Sequence, residues 1–172
     1  LISIKESLLN FLNNYNLKVT LHLIHDNSSK KFNDDLLVLL KNNKFDIKIK
    51  ETKINGNRGT FLECCDEAKN ANDLIFFVED DYLFEKNCLE EILFSYSRIS
   101  TILDQDIFIC PSDYPFFYDS AYKTSLFIGK DHRWRFVEET LLTFLFSKNL
   151  LKNYDKNIRS VGENINEPFE KP

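Results

Sequence analysis

The most constraining feature of the chain is the run Leu74-Ile75-Phe76-Phe77-Val78, followed at once by Glu79-Asp80-Asp81. The run has no polar position to turn towards water. A short, continuous apolar stretch of branched and aromatic residues reads as a strand covered on both faces, as at the centre of a parallel sheet. It therefore predicts layers above and below it. The abrupt change to carboxylates predicts that the strand ends at a solvent-facing rim.

The rest of the chain alternates between helical and extended periodicity. Ile4, Leu8, Phe11, Leu12 and Tyr15 follow helical spacing, with Ser3 and Glu6 as a capping box. Val19, Leu21 and Leu23 alternate with Thr20 and His22, which predicts a strand ending near Asp26. Asn27-Ser28-Ser29 is a turn, and residues 34–40 form a short helix. Ile47 and Ile49 alternate with Lys48 and Lys50 in a second strand. Asn55-Gly56-Asn57-Arg58-Gly59 is a loop, after which Thr60 and Glu63 cap a helix over residues 60–71. Asn87 and Glu90 cap a helix striped by Leu89, Ile92, Leu93, Tyr96 and Ile99. Residues 107–110 and 123–129 are short strands. Val137, Leu141, Phe144 and Leu145 mark a last helix beginning near Phe136, and a polar tail follows.

Strands separated by helical segments of about 10–15 residues indicate βαβ units. The expected fold is α/β: a Rossmann-like three-layer α/β/α arrangement with a mostly parallel central sheet. The expected domain spans residues 1–150, divided near residue 86, with residues 151–172 as the tail. The sequence contains no Met, and Leu1 stands inside a helical pattern. Both features suggest a fragment or processed product with a strand missing upstream.

The chain of 172 residues matches one domain at about 150 residues each. Its 43% hydrophobic and 28% charged residues exclude disordered and low-complexity classes. The net charge is −5, from 22 Lys and Arg against 27 Asp and Glu. Without a basic block this argues against a nucleic-acid partner, because phosphate neutralisation needs clustered cations. No apolar stretch approaches the roughly 20 residues that span a bilayer. Cys64, Cys65, Cys88 and Cys110 lack metal-site spacing and read as reduced thiols in the cytoplasm. A peripheral membrane role is a second option, although no basic amphipathic segment supports it.

In an open α/β sheet, ligands bind beyond the carboxyl ends of the strands. That rule selects Asp26 with Asn27, the loop at residues 55–59, and the three acids at 79–81. Side chains alternate along a strand, so Glu79 and Asp81 are expected to share one direction and Asp80 the other. Neighbouring carboxylates repel, and a divalent cation relieves that cost. Oxygen-only ligands suit Mg2+ or Mn2+, which would in turn hold a diphosphate. The plain alternative is a solvated strand-to-helix turn with acids near a helix N-terminus.

This ordered set resembles a nucleotide-sugar glycosyltransferase of the GT-A fold, near the large inverting family two. Glu79-Asp80-Asp81 is similar to that family's DxD motif. The resemblance spans about residues 2–150 and implies a nucleotide-binding half before residue 86 and an acceptor half after it. It implies that Asp26 contacts the donor nucleoside and that Asn57 and Arg58 border the nucleotide pocket. Asp80 would meet the ribose, with Asp81 and Glu79 serving the metal, Mn2+ or Mg2+. The donor would be a UDP- or GDP-sugar and the acceptor a glycan, a lipid-linked glycan or a protein. For each residue a plain role stands beside this one. Asp26 caps a turn, Asn57 supplies a left-handed turn residue, and Arg58 is a surface cation.

The chain departs from the family in lacking a His after His132 and the usual acceptor-side acid pair. An inverting transfer needs a carboxylate to deprotonate the attacking hydroxyl. Glu138 and Glu139 are the candidates, with Asp131 behind them. Glu138 is favoured because it borders the apolar stripe of the expected last helix. Arg133 or Arg135 would meet the diphosphate. Trp134 is either a sugar-stacking surface or a core anchor. The aromatic loop at residues 111–118 reads as an acceptor-side wall. Two other classes stay open: a sugar-phosphate nucleotidyltransferase and a non-catalytic relative that keeps the fold as an interaction domain.

Overall fold

In a computed structural model of the chain, residues 1–41, 43–114, 124–137 and 140–161 are described. Their order is α1 (Ile2–Asn14), β1 (Thr20–His25), α2 (Lys30–Leu39), β2 (Asp46–Glu51), α3 (Asn57–Ala68), β3 (Leu74–Phe77), α4 (Cys88–Leu103), β4 (Leu126–Ile128), β5 (Arg133–Arg135), β6 (Phe144–Ser147) and α5 (Lys148–Ser160). The protein is thus mixed α/β. Parallel pairing is confined to β1 with β2, in the register Leu21 to Ile47 and His25 to Glu51. β3 pairs antiparallel with β6, and β4 forms an antiparallel hairpin with β5. Among the described residues these are three two-stranded sheets. The expected single, mostly parallel sheet is not formed there.

The centre of the apolar run is covered as its composition demands, while Leu74 and Val78 at its ends are exposed. Phe76 packs into a core with Ile4, Leu8 and Phe11 of α1, Ile92 and Tyr96 of α4, and Leu145 of β6. Ile75 and Phe77 face the opposite way, into a core with Phe61 and Cys65 of α3, Phe144 and Phe146 of β6, and Leu151 of α5. The β3–β6 pair is therefore covered by helices on both faces. Phe77 makes edge-on ring contacts with Phe61, Phe144 and Phe146 at centroid distances of 5.9, 5.5 and 5.2 Å.

The most consequential correction concerns the C-terminal region. Leu141, Phe144 and Leu145 mimic helical spacing, but all of residues 144–147 are buried in β6. Among the described residues no helix begins near Phe136, which follows β5 directly. The helix starts instead at Lys148, where Ser147 caps it by accepting from the Leu150 N–H at 3.1 Å. The expected polar tail is helical as far as Ser160, and it buries Leu151 and Ile158. β4 lies inside the expected strand at residues 123–129, of which Lys123 lies outside the described residues. Residues 107–110 contribute only a bridge from Ile109 to Leu145.

The expected capping boxes also dissolve. Ser3 and Ser7 spend their hydroxyls on tertiary bonds, accepting from the N–H groups of Phe84 and Leu89. α3 begins at Asn57, and Thr60 bonds back to the Asn57 carbonyl at 2.8 Å. Ser29 is a true N-cap, accepting from the Phe32 N–H.

Gly59 shows how closely the loop before α3 lies against that helix. A Cβ on Gly59 would come within 1.8 Å of the Ile54 carbonyl oxygen, a backbone atom that cannot swing away. Gly59→Ala is expected to destabilise the protein by about 1–3 kcal/mol, the range for forced overpacking. The urea midpoint measures this, and an unchanged midpoint would contradict the close approach.

Candidate functional site

Two of the selected strand ends meet directly. Asp26 leaves β1, and its Oδ2 accepts the Gly56 N–H at 2.5 Å, in the loop before α3. Gly56 adopts φ +90°, a conformation that favours glycine, and Asn27 is left-handed at φ 47°. Asn57 is therefore the first residue of α3 and not the left-handed turn residue. Next to this contact the Thr52 N–H donates to the His25 carbonyl, and the Thr52 hydroxyl donates to the Ile54 carbonyl.

The third strand end is linked to these two through α3. α3 starts beside Asp26, and Phe61, one turn into the helix, touches Phe77, the last residue of β3. The acids at 79–81 follow directly. β3 ends at Phe77, so Val78 already belongs to the rim.

Glu79 is fixed there by Thr143, which is fully buried just before β6. The Thr143 hydroxyl accepts the Glu79 N–H at 3.1 Å and lies 3.3 Å from Glu79 Oε2, to which it donates. Burial pushes the Glu79 carboxyl above its usual range, and the Asp81 charge adds to the rise, with Asp80 contributing least. The bond from Thr143 acts in the opposite direction without cancelling it. Glu79 is thus a half-buried carboxylate with the exposed Asp80 and Asp81 beside it.

Tyr82 borders the acids on the far side. Its hydroxyl contacts that of Tyr114 and hydrogen-bonds with Ser112. The Ser112 hydroxyl lies 2.9 Å from Cys110 Sγ. Residues 110–114 thus form one wall of the rim. The remainder of the expected aromatic wall, residues 115–118, lies outside the described residues, as do Glu138 and Glu139. With β5 and β6 on either side of those two acids, the helical-face argument that favoured Glu138 no longer applies.

The other candidates are dispersed. Arg58 donates to the carbonyls of Val161 at 2.7 Å and Arg159 at 3.4 Å, which caps the end of α5. The Trp134 indole N–H donates to Glu91 at 2.9 Å, and its ring packs on the core beside Phe127's cluster, so it is a core anchor. Arg133 is exposed on the outer face of the hairpin, across from Ile128. Arg135 pairs with Asp113 at 2.9 Å and so reaches the wall. Asp131 is exposed at the hairpin turn. The free thiols are quiet, with burial pushing Cys64 up to about 12 and Cys65 and Cys88 to about 11.

Sequence reasoning missed Thr143 and Tyr82 as rim residues. Thr143 carried a readable signal, as a hydroxyl at the edge of a second continuous apolar run. Ser112 and Asp113 lie in the described part of the loop that the sequence marked as a wall, and their partners Cys110 and Arg135 were not legible there.

Among the described residues, no group of three His, Cys, Asp or Glu side chains is arranged to hold a metal. Mg2+ commonly takes only one or two carboxylates, with waters and substrate phosphates completing its shell. The all-oxygen, charge-crowded pair Glu79 and Asp81 fits that requirement and not that of a closed protein cage. No helix among the described residues is long and apolar enough to cross a membrane. No protein family, curated protein or solved structure matches the chain.

The raised Glu79 carboxyl makes a prediction about stability. Its folded-state pKa lies above the ordinary value, so ionisation favours the unfolded chain. The penalty grows as pH rises through the raised value and disappears below the ordinary one. Glu79→Gln should therefore raise the urea midpoint of the cation-free protein at neutral pH, and the gain should vanish near pH 4, around the ordinary carboxylate range. A lowered midpoint at neutral pH would contradict this account.

Proposed function

We propose that the protein is a glycosyltransferase that moves a sugar from a nucleoside-diphosphate donor to a hydroxyl-bearing acceptor, metal-assisted and with inversion. The observation that carries this reading is the placement of Glu79, Asp80 and Asp81. They stand at the end of a strand covered on both faces, with Glu79 held by Thr143 and its carboxyl raised by burial and by Asp81. On this reading β1–β2 and β3–β6 belong to one layer of an α/β/α domain. The helical cover supports it: α1 packs with Leu21, Ile47 and Phe76, and α3 contacts both β1 and β3.

Asp81 and Glu79 are the residues that would hold Mn2+ or Mg2+, Asp81 directly. When bound, the cation neutralises charge on the departing diphosphate. The remaining roles belong to the protein. Asp26, whose carboxylate is oriented by the Gly56 N–H, faces the nucleoside. Asp80 meets the ribose. The wall formed by residues 110–114, with Tyr82, borders the acceptor. The acceptor oxygen bonds to the anomeric carbon as the bond from that carbon to the diphosphate oxygen breaks. A carboxylate takes the acceptor proton. Glu138, Glu139 and Asp131 are the candidates for that base. Arg58, engaged at the end of α5, is given no role in donor binding. The reading takes UDP- or GDP-sugars as donors and a glycan, lipid-linked glycan or protein as acceptor. Four free cysteines are in keeping with a reducing compartment, and the reading takes the reaction to be cytoplasmic, with a peripheral membrane role as the second option.

Titration of UDP and GDP into the protein by calorimetry tests the site. Binding of at least one should strengthen by tenfold or more with Mn2+ relative to EDTA. Asp81→Asn should remove that gain, and Asp80→Asn should weaken it less. Equal affinity in EDTA would overturn the metal reading. No binding of either nucleotide under any condition would favour a non-catalytic interaction domain.

A further inference from the structure

Glu91, in the first turn of α4, is a buried carboxylate with 6% of its surface exposed. A buried anion persists only where donors compensate its lost hydration. Four do so here. Its Oε2 accepts the Asp131 N–H at 2.7 Å. Its Oε1 accepts the Trp134 indole N–H at 2.9 Å, the Ser95 hydroxyl at 2.9 Å and the His132 N–H at 3.4 Å. Burial alone would push this carboxyl up. The donors outweigh it and hold the group at about 2.

Three of the four donors come from the β4–β5 hairpin, and the turn is shaped for the contact. A Cβ on Gly129 would lie 2.4 Å from Glu91 Oε1, 2.4 Å from Trp134 Nε1 and 2.3 Å from Ser95 Oγ. Glu90 reinforces the grip by pairing with Lys130 and accepting the Tyr15 hydroxyl. The hairpin needs such an anchor. Its two strands have three residues each, and Leu126 and Ile128 on its outer face are 66% and 65% exposed. A two-stranded ribbon of that size is marginal alone. At its far end Arg135 pairs with Asp113, next to Ser112, which bonds Tyr82 beside Asp81.

We infer that Glu91 is a positioning residue for the rim: by gripping residues 129–134 from α4 it sets where Arg135 meets Asp113, and so fixes the acceptor-side wall at residues 110–114. The acceptor-side role rests on the proposed transferase reading. The mechanical link does not, and the test separates the two.

Hydrogen exchange of the whole chain, read by mass spectrometry, follows the hairpin and the wall. Emission from Trp134, the one tryptophan in the sequence, reports on its bond to Glu91. Glu91→Gln should shift that emission and speed exchange at least tenfold in residues 126–135 and also in residues 110–114. Gly129→Ala, which wedges the turn from the carboxylate without changing charge, should do the same where Glu91→Gln fails to fold. Gly59→Ala, at matched loss of stability, should change neither readout, which distinguishes positioning from general loosening. UDP affinity with Mn2+ should stay within twofold in both hairpin variants. Exchange that quickens in the hairpin while residues 110–114 stay unchanged would overturn the inference. Failure of the wild-type protein to bind either UDP or GDP would overturn the transferase reading and leave the link between Glu91 and the wall to be decided by exchange.

Discussion

Phe76 and Phe77 are neighbours on one short strand and belong to two different cores. Phe76 lies with α1 and α4, and Phe77 with α3 and α5. Burial on both sides forces β3 to the centre of its surroundings and demands a partner of the same kind. β6 meets the demand because residues 144–146 are as continuously apolar as residues 74–77 and can face both cores. Burying a large apolar side chain is worth about 1.5–3 kcal/mol. The two strands with their packed rings therefore hold the helical layers together. The position of the acids follows, because the chain can present carboxylates only where this doubly covered strand reaches the surface.

That much was legible in the sequence. The run at 74–78 announced the burial of its centre, though its end residues Leu74 and Val78 are exposed, and the strand-end rule pointed to Asp26 and to the acids. What was misread has a common cause. Leu141, Phe144 and Leu145 satisfy helical spacing as well as they satisfy a strand, and local pattern cannot separate the two when the run is short. The need of β3 for a partner decides it, and that need is tertiary. The capping boxes failed for a related reason. Ser3 is a good cap in isolation, yet the Phe84 N–H claims its hydroxyl once α1 packs against the chain leading into α4.

The candidate site shows the same division. Local chemistry selects residues that can ionise or chelate, but it does not say which cations are spoken for. Arg58 stands beside the selected loop in sequence and turns to the carbonyls at the end of α5. Trp134 offered a stacking surface and instead donates to Glu91. Conversely, Thr143 is the residue that fixes Glu79, and that pairing depends on β6 lying beside β3. The rim therefore depends on two polar grips from buried residues. Thr143 holds the acids from β6, and Glu91 holds the hairpin from α4. Both are compensated in a low-dielectric setting, where loss of either partner leaves an unsatisfied group at a cost of about 1–3 kcal/mol.

The central claim is that the crowded carboxylates at the end of β3 exist to share a divalent cation with a diphosphate. Electron paramagnetic resonance of Mn2+ tests it most directly, because the spectrum of the free aqueous ion is lost when the ion is immobilised. With the protein alone, most of the free-ion signal should remain. Adding UDP in slight excess should reduce it well beyond what UDP does without protein, and Asp81→Asn should restore it. Mn2+ uptake that is the same with and without Asp81, or that neither UDP nor GDP changes, would contradict the account.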